Sequence, residues 1–228
     1  MTDIVRRLIE WHPSPDGGPL GRSVEHDERS RAHAVPALPS IWRSTLWRRL
    51  VGIFDQGDTG DCTAEAITGA VSTAPFRHHI RSQRTSRAVY HAETLIDGFG
   101  DPWPPNDRGS SGLAACKVAQ SKGWISSYNH AFSLNAALTA LQAGPVITGV
   151  DWMDSFDQPD ANGLCSWTPG AQVRGGHEVC VVGIDVEART VRFANSWGDW
   201  GDHGYGQWTW DTWERLLAAQ GDCTQPVR

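Results

Sequence analysis

Asp55-Gln56-Gly57-Asp58-Thr59-Gly60-Asp61-Cys62-Thr63-Ala64 is a glycine-punctuated loop that delivers a cysteine to a segment with small or apolar residues at 64, 66, 67, 70 and 71. That pattern suits a closely packed, buried helix from Cys62 onward better than an exposed one. In its first turn, unpaired backbone N–H groups and the positive end of the helix dipole favour thiolate over thiol. Cys62 is therefore a candidate nucleophile. A cysteine before a helix is more often just a small core residue, so the reading depends on partners elsewhere in the chain.

Working outward, residues 86–97 (SRAVYHAETLID) and 112–123 (GLAACKVAQSKG) read as further helices, the second stopped by Gly123. Residues 133–145 (SLNAALTALQAGP) place Ser133 as an N-cap, Leu134, Ala137, Leu138 and Leu141 on one face, and Gly144-Pro145 as the stop. After Pro145 the runs VITGV, EVCVVGIDV, TVRFAN and YGQWTW are rich in β-branched and aromatic residues and read as strands. A last helix, DTWERLLAAQG, opens at Asp211, three residues before Glu214, and closes at Gly221. The expectation is an α+β architecture. A helical lobe spans 46–144, a β-rich lobe spans 145–228, and the active site lies in the cleft between them.

Residues 1–45 carry Pro13, Pro15, Pro19, Pro36 and Pro39 around a charged run from Glu25 to Arg31, a composition that reads as an extended arm. A surface strap with no regulatory role is the favoured reading of this arm, and blocking a cleft is the alternative.

Composition narrows the chemistry. At 228 residues and 39% hydrophobic, the chain can bury a sizeable core without disulfides or metal. The net charge of −6 and the scattering of 20 basic residues argue against nucleic acid as a partner. No stretch approaches a membrane span and the start lacks an apolar leader, so a cytoplasmic protein is expected. Five cysteines without metal-like spacing are read as free thiols. Cys116 and Cys180 fall in apolar patterns and are expected to be inert; Cys165 and Cys223 fall in loop or tail, where oxidation is conceivable. His78, His79 and His203 lack companion ligands and are read as surface residues, so neither metal nor cofactor is expected. The acidic stretch Asp151 to Asp160 is read as a solvated loop, with a part in choosing basic substrates as the minority view.

Two segments supply partners for Cys62. In Gly175-Gly176-His177-Glu178, glycines bring the chain to a strand edge and leave the imidazole room to face a cleft, where it could take the thiol proton and later return it. In Phe193-Ala194-Asn195-Ser196-Trp197-Gly198, an amide at a strand end could fix the tautomer and orientation of that imidazole.

The segments DQGDTGDCTAEA, GPVITGVDWMDSF, GGHEVCVVGID and NSWGDWGDHGYG, in that order, resemble the papain family of cysteine peptidases from about Leu38 to Glu214. The resemblance is nearest to a divergent bacterial and phage branch, whose cysteine is followed by Thr-Ala, and so suggests a bacterial or phage source. It implies a papain-like fold, Cys62 as nucleophile, His177 as acid/base, Asn195 as orienting residue and Gln56, six positions before the cysteine, as oxyanion donor. Trp197 matches the indole that shields the Asn-His pair, and Ser111, Gly112, Glu178 and Trp197 are the expected substrate-binding residues.

Some positions depart from the family pattern. Thr59 replaces a cysteine of secreted members, so their disulfide is absent. Thr63 replaces the tryptophan after the nucleophile, and the loop after Asn195 is one residue short. Asp61 sets a carboxylate beside Cys62, either capping the helix or opposing the thiolate. Glu178, following the histidine, stands where the family borders a side-chain pocket. Either it faces the cleft and favours Arg or Lys, or it turns away and pairs with an arginine such as Arg174. The implied activity is hydrolysis of a peptide or protein through a thioester. Acyl transfer by the same site and a catalytically silent binding module remain alternatives.

Overall fold

A computed structural model describes residues 3–36 and 41–228; Leu38 and Pro39 lie outside the described residues. The helices are α1 (Cys62–Val71), α2 (Gln83–Thr94), α3 (Gly112–Ser121), α4 (Leu134–Leu141), α5 (Trp200–His203) and α6 (Trp210–Ala218). The strands are β1 (Ile4–Arg7), β2 (Val24–Asp27), β3 (Thr45–Leu46), β4 (Ser127–His130), β5 (Val146–Met153), β6 (Val173–Asp185), β7 (Thr190–Ala194), β8 (Tyr205–Thr209) and β9 (Asp222–Val227). β1 and β2 pair within the N-terminal arm. The others form one antiparallel sheet in the order β4-β9-β5-β6-β7-β8, with β3 added alongside β6.

β6 belongs to two cores at once. Side chains alternate along a strand, so Val179 and Val181 point with His177 into an aromatic core containing Trp152, Phe193, Trp197 and Trp208. Cys180 and Val182 point the other way, into the core of α1, α2 and α3. α1 fits closely because Ala64, Ala66, Gly69 and Ala70 keep its surface shallow, and every residue from Cys62 to Val71 is buried.

The division of the chain differs from the sequence expectation in one respect. Leu134, Ala137, Leu138 and Leu141 of α4 pack in the core of the sheet, not with α1–α3. Because β4 also pairs with β9, the strand-rich part takes in residues 127–141 as well. Ser133 caps α4 as expected, its hydroxyl accepting from the Ala136 N–H. The cap of α6 is Thr209, whose hydroxyl accepts from the Thr212 N–H, with Asp211 already inside the first turn. Thr209→Ala is therefore expected to cost about 1 kcal/mol of stability in a denaturant titration. Asp211→Ala, which removes only an exposed pairing with Arg189 at 3.8 Å, should cost under about 0.5 kcal/mol.

Candidate active site

The loop ahead of α1 is tied to the strand side through Ser196. The Gln56 N–H donates to the Ser196 carbonyl at 2.9 Å, and the Ser196 hydroxyl donates to Gln56 Oε1 at 2.7 Å. Gln56 Nε2 donates to the Thr59 carbonyl at 2.7 Å, which leaves the second hydrogen of that amide uncommitted. Cys62 follows at the first residue of α1, fully buried. Asp61 contributes no side-chain cap to the helix; both its carboxylate oxygens are buried without a hydrogen-bond partner.

His177 is held on three sides. Its Nε2 lies 2.7 Å from Asn195 Oδ1, which also accepts the Ser196 N–H at 2.8 Å. An amide oxygen only accepts, so Nε2 is the nitrogen that carries hydrogen, and Nδ1, buried and unpartnered, keeps its lone pair. Trp197 stacks on the imidazole with centroids 4.8 Å apart, and Trp152 meets it edge-on at 4.9 Å. Trp152 is itself fixed by its indole N–H on Asp157 at 2.9 Å.

Neither partner is ionised in this arrangement. Burial pushes the Cys62 thiol well above its usual range, and the charges of Glu178 and Asp61 add to that, while backbone N–H groups of Glu178 and Gly21 oppose it. Burial drives His177 down to about 3, against the support of Asn195. Dehydration here outweighs the helix dipole, and it does so because the cleft is filled.

The N-terminal arm fills it, so the favoured expectation of a mere surface strap does not hold. Leu20, Arg22 and Ser23 are buried, and the backbone runs parallel to that of Ser110. The Ser110 N–H donates to the Gly21 carbonyl at 2.8 Å and the Ser23 N–H donates to the Ser110 carbonyl at 2.7 Å. On the other wall the Arg22 N–H donates to the Gly176 carbonyl at 2.9 Å, and the Trp197 indole donates to the Pro19 carbonyl at 3.1 Å. Contact is tight enough that a Cβ on Gly21 would sit 1.8 Å from the Gly60 carbonyl oxygen.

Other expected residues sort clearly. Gly112 opens α3 directly against Glu178, whereas the Ser111 hydroxyl caps α3 and donates to Glu25 at 2.6 Å, which makes it a buried structural contact. Glu178 faces the helical side and does not pair with Arg174. Arg174 instead binds Asp157 at 3.1 Å and the carbonyls of His12 and Gly18. The acidic stretch is not a solvated loop throughout, since Asp151 is in β5 and Asp157 is buried. Cys165 and Cys223 are also buried, which removes the exposure their oxidation would need. Sequence reasoning missed Ser196, Trp152, Ser110 and the arm residues 18–23. Only Trp152, in an apolar run, carried a usable signal.

No family model matches the chain. In an alignment of 196 residues that covers 66% of this chain and 62% of the relative, it is 27% identical to an uncharacterized peptidase C1-like protein of Acanthamoeba polyphaga mimivirus, so the chain spans less than two thirds of that relative's length. Among solved structures it resembles xylellain, a cysteine protease from Xylella fastidiosa, with a TM-score of 0.59 at 19% identity over 98% of each chain. It also resembles digestive procathepsin L 3 of Tenebrio molitor, with a TM-score of 0.59 at 21% identity over 86% of this chain and 73% of that one. The fold is papain-like, that of the cysteine proteases, as the sequence motifs imply.

The buried Asp61 carboxyl makes stability depend on pH. Desolvation pushes it from 3.8 up to about 7, with the charge of Arg87 opposing and that of Asp107 reinforcing. Through that window the folded chain keeps a proton that the unfolded chain releases, so this contribution to stability falls as pH rises. Asp61→Asn should raise the Tm at pH 8 and leave it near the parent's at pH 4. Equal shifts at the two pH values would contradict the assignment.

Proposed function

We propose that the chain is a cysteine peptidase using Cys62, His177, Asn195 and Gln56. The observation that carries this reading is the His177–Asn195 hydrogen bond between Trp152 and Trp197, which leaves Nδ1 as a lone-pair acceptor in the cleft where α1 presents its cysteine. When the cleft is hydrated, the thiol proton moves to His177 Nδ1 and the thiolate attacks a peptide carbonyl. The Cys62 backbone N–H and the uncommitted hydrogen of Gln56 Nε2 hold the oxyanion. His177 then gives its proton to the leaving amine, and water, deprotonated by the same imidazole, releases the acid from the thioester.

The arm keeps this machinery silent while it is seated, because it excludes substrate and holds both partners neutral. Displacement of the arm is therefore a condition of activity. Gly21→Val, which clashes with Gly60, should speed alkylation of Cys62 by iodoacetamide about tenfold or more, since reagent then no longer waits for local opening. The same variant should cleave a mixed peptide library, and adding Cys62→Ala should abolish cleavage. Adding Gln56→Ala instead should slow it about 10²-fold, the usual cost of one lost oxyanion donor. Rapid alkylation without any cleavage would leave the site a silent binding module.

A further inference from the structure

The basic residues look scattered along the sequence, but the fold gathers a set of them on one face. Residues 41–54 and 66–92 contain seven arginines and no aspartate or glutamate, so of the net charge of −6 the rest of the chain carries −13. The two stretches lie side by side. Arg49 bridges to Thr73 with antiparallel backbones, the Leu50 N–H donates to the Ser72 carbonyl at 2.9 Å, and the Ala74 N–H donates to the Arg48 carbonyl at 2.9 Å. Beyond this seam the Ile80 N–H donates to the Ser72 hydroxyl oxygen at 3.3 Å, and Gln83, the first residue of α2, donates to Glu65 of α1. Arg84 and Arg87 follow three apart on one side of α2; both are exposed, as are Arg48, Arg77 and Arg81. Arg87 ends the row at the loop ahead of Cys62, with a terminal nitrogen 3.9 Å from where a Cβ on Gly57 would sit.

These five guanidinium groups lack counter-charges. Among the described residues none of them forms an ion pair, whereas arginines elsewhere do, Arg174 with Asp157 and Arg192 with Asp202 among them. The acids nearest in sequence are Glu65 and Glu93. Both are buried, and desolvation holds both carboxyls well above the usual range, so they add little negative field to the face. Arg87 bears on the buried Asp61 without pairing with it, and Asp55 and Asp58, exposed in the same loop, bound the surface at that end. Like charges crowded in this way repel one another in the free protein, and an anionic partner relieves that repulsion.

We propose that this face is a docking surface for an acidic stretch of a protein partner, several Asp or Glu side chains long. Each guanidinium offers a planar fork that a carboxylate meets bidentately. Nucleic acid fits less well. No aromatic side chain of the two stretches is exposed, so unpaired bases would find no platform to stack on. A duplex runs on past the patch, and its phosphates, one charge per about 1.7 Å, would meet the −13 carried by the rest of the chain. An acidic peptide segment can end where the basic face ends. The surface is separate from the peptidase chemistry, and its test does not use catalysis.

A fluorescein-labelled deca-glutamate peptide should bind the full chain, read by anisotropy. Its affinity should fall about tenfold or more as salt rises from about 50 mM to about 300 mM, because screening shortens the reach of exposed charges. Arg81→Glu combined with Arg84→Glu should weaken binding about tenfold or more, since attraction becomes like-charge repulsion. Position 84 is in the first turn of α2, where negative charge is favourable, so this variant should keep the parent's Tm. Arg189→Glu combined with Arg215→Glu changes the net charge equally on exposed arginines elsewhere, and should alter binding less than about twofold. Should the first pair not fold, Arg48→Ala combined with Arg77→Ala serves, with about a fivefold loss expected. A parent chain that ignores the acidic peptide, or an equal loss from variants on and off the face, overturns the proposal. Tighter binding of deca-thymidylate than of the peptide at equal salt overturns it in favour of nucleic acid, and tighter binding of phosphatidylserine vesicles overturns it in favour of a membrane.

Discussion

The close packing of α1 on β6 is the contact on which the rest of the site depends. Cys62 opens the helix and His177 lies in the strand, on parts of the chain more than a hundred residues apart. Small residues along α1 let its axis approach the sheet at Cys180 and Val182, which seats the helix that opens at Cys62 against the strand that carries His177. Larger side chains at Ala66 or Ala70 would push the helix outward and carry the cysteine with it. Alternation along β6 then assigns each neighbour its task. His177 lies between Trp152 and Trp197, and Glu178, one residue on, faces the opposite side, against Gly112 and Gly149.

Water is the second constraint. A cysteine at a helix start is expected to lose its proton easily, yet here the thiol is held protonated and the imidazole neutral. The reason is burial, the largest cause of both shifts, and the arm residues Leu20 and Arg22 are themselves buried on this side of the molecule. The acidic groups behave alike: Asp61, Glu65, Glu93 and Glu178 are all raised above the usual carboxylate range, desolvation being the largest cause for each. The seated arm and the neutral Cys62 and His177 are therefore features of one and the same structure.

The amino-acid sequence by itself determined whatever depends on neighbours in the chain. The loop and small-residue helix at Cys62, the glycines before His177, the Ser133 cap and the apolar runs of β5 to β8 were all legible, because period and capping act over a few residues. β4 (SYNH) and β9 (DCTQPV) were not legible, since strands this polar are held by pairing with distant partners and not by their own pattern. Only the tertiary structure decided which way Glu178 faces, that Asp222 stands in register with it across Gly149, and that the arm threads the cleft instead of strapping the surface. Strand register and the path of an arm are set by contacts between residues far apart in the chain, whose energies appear only once the cores have formed.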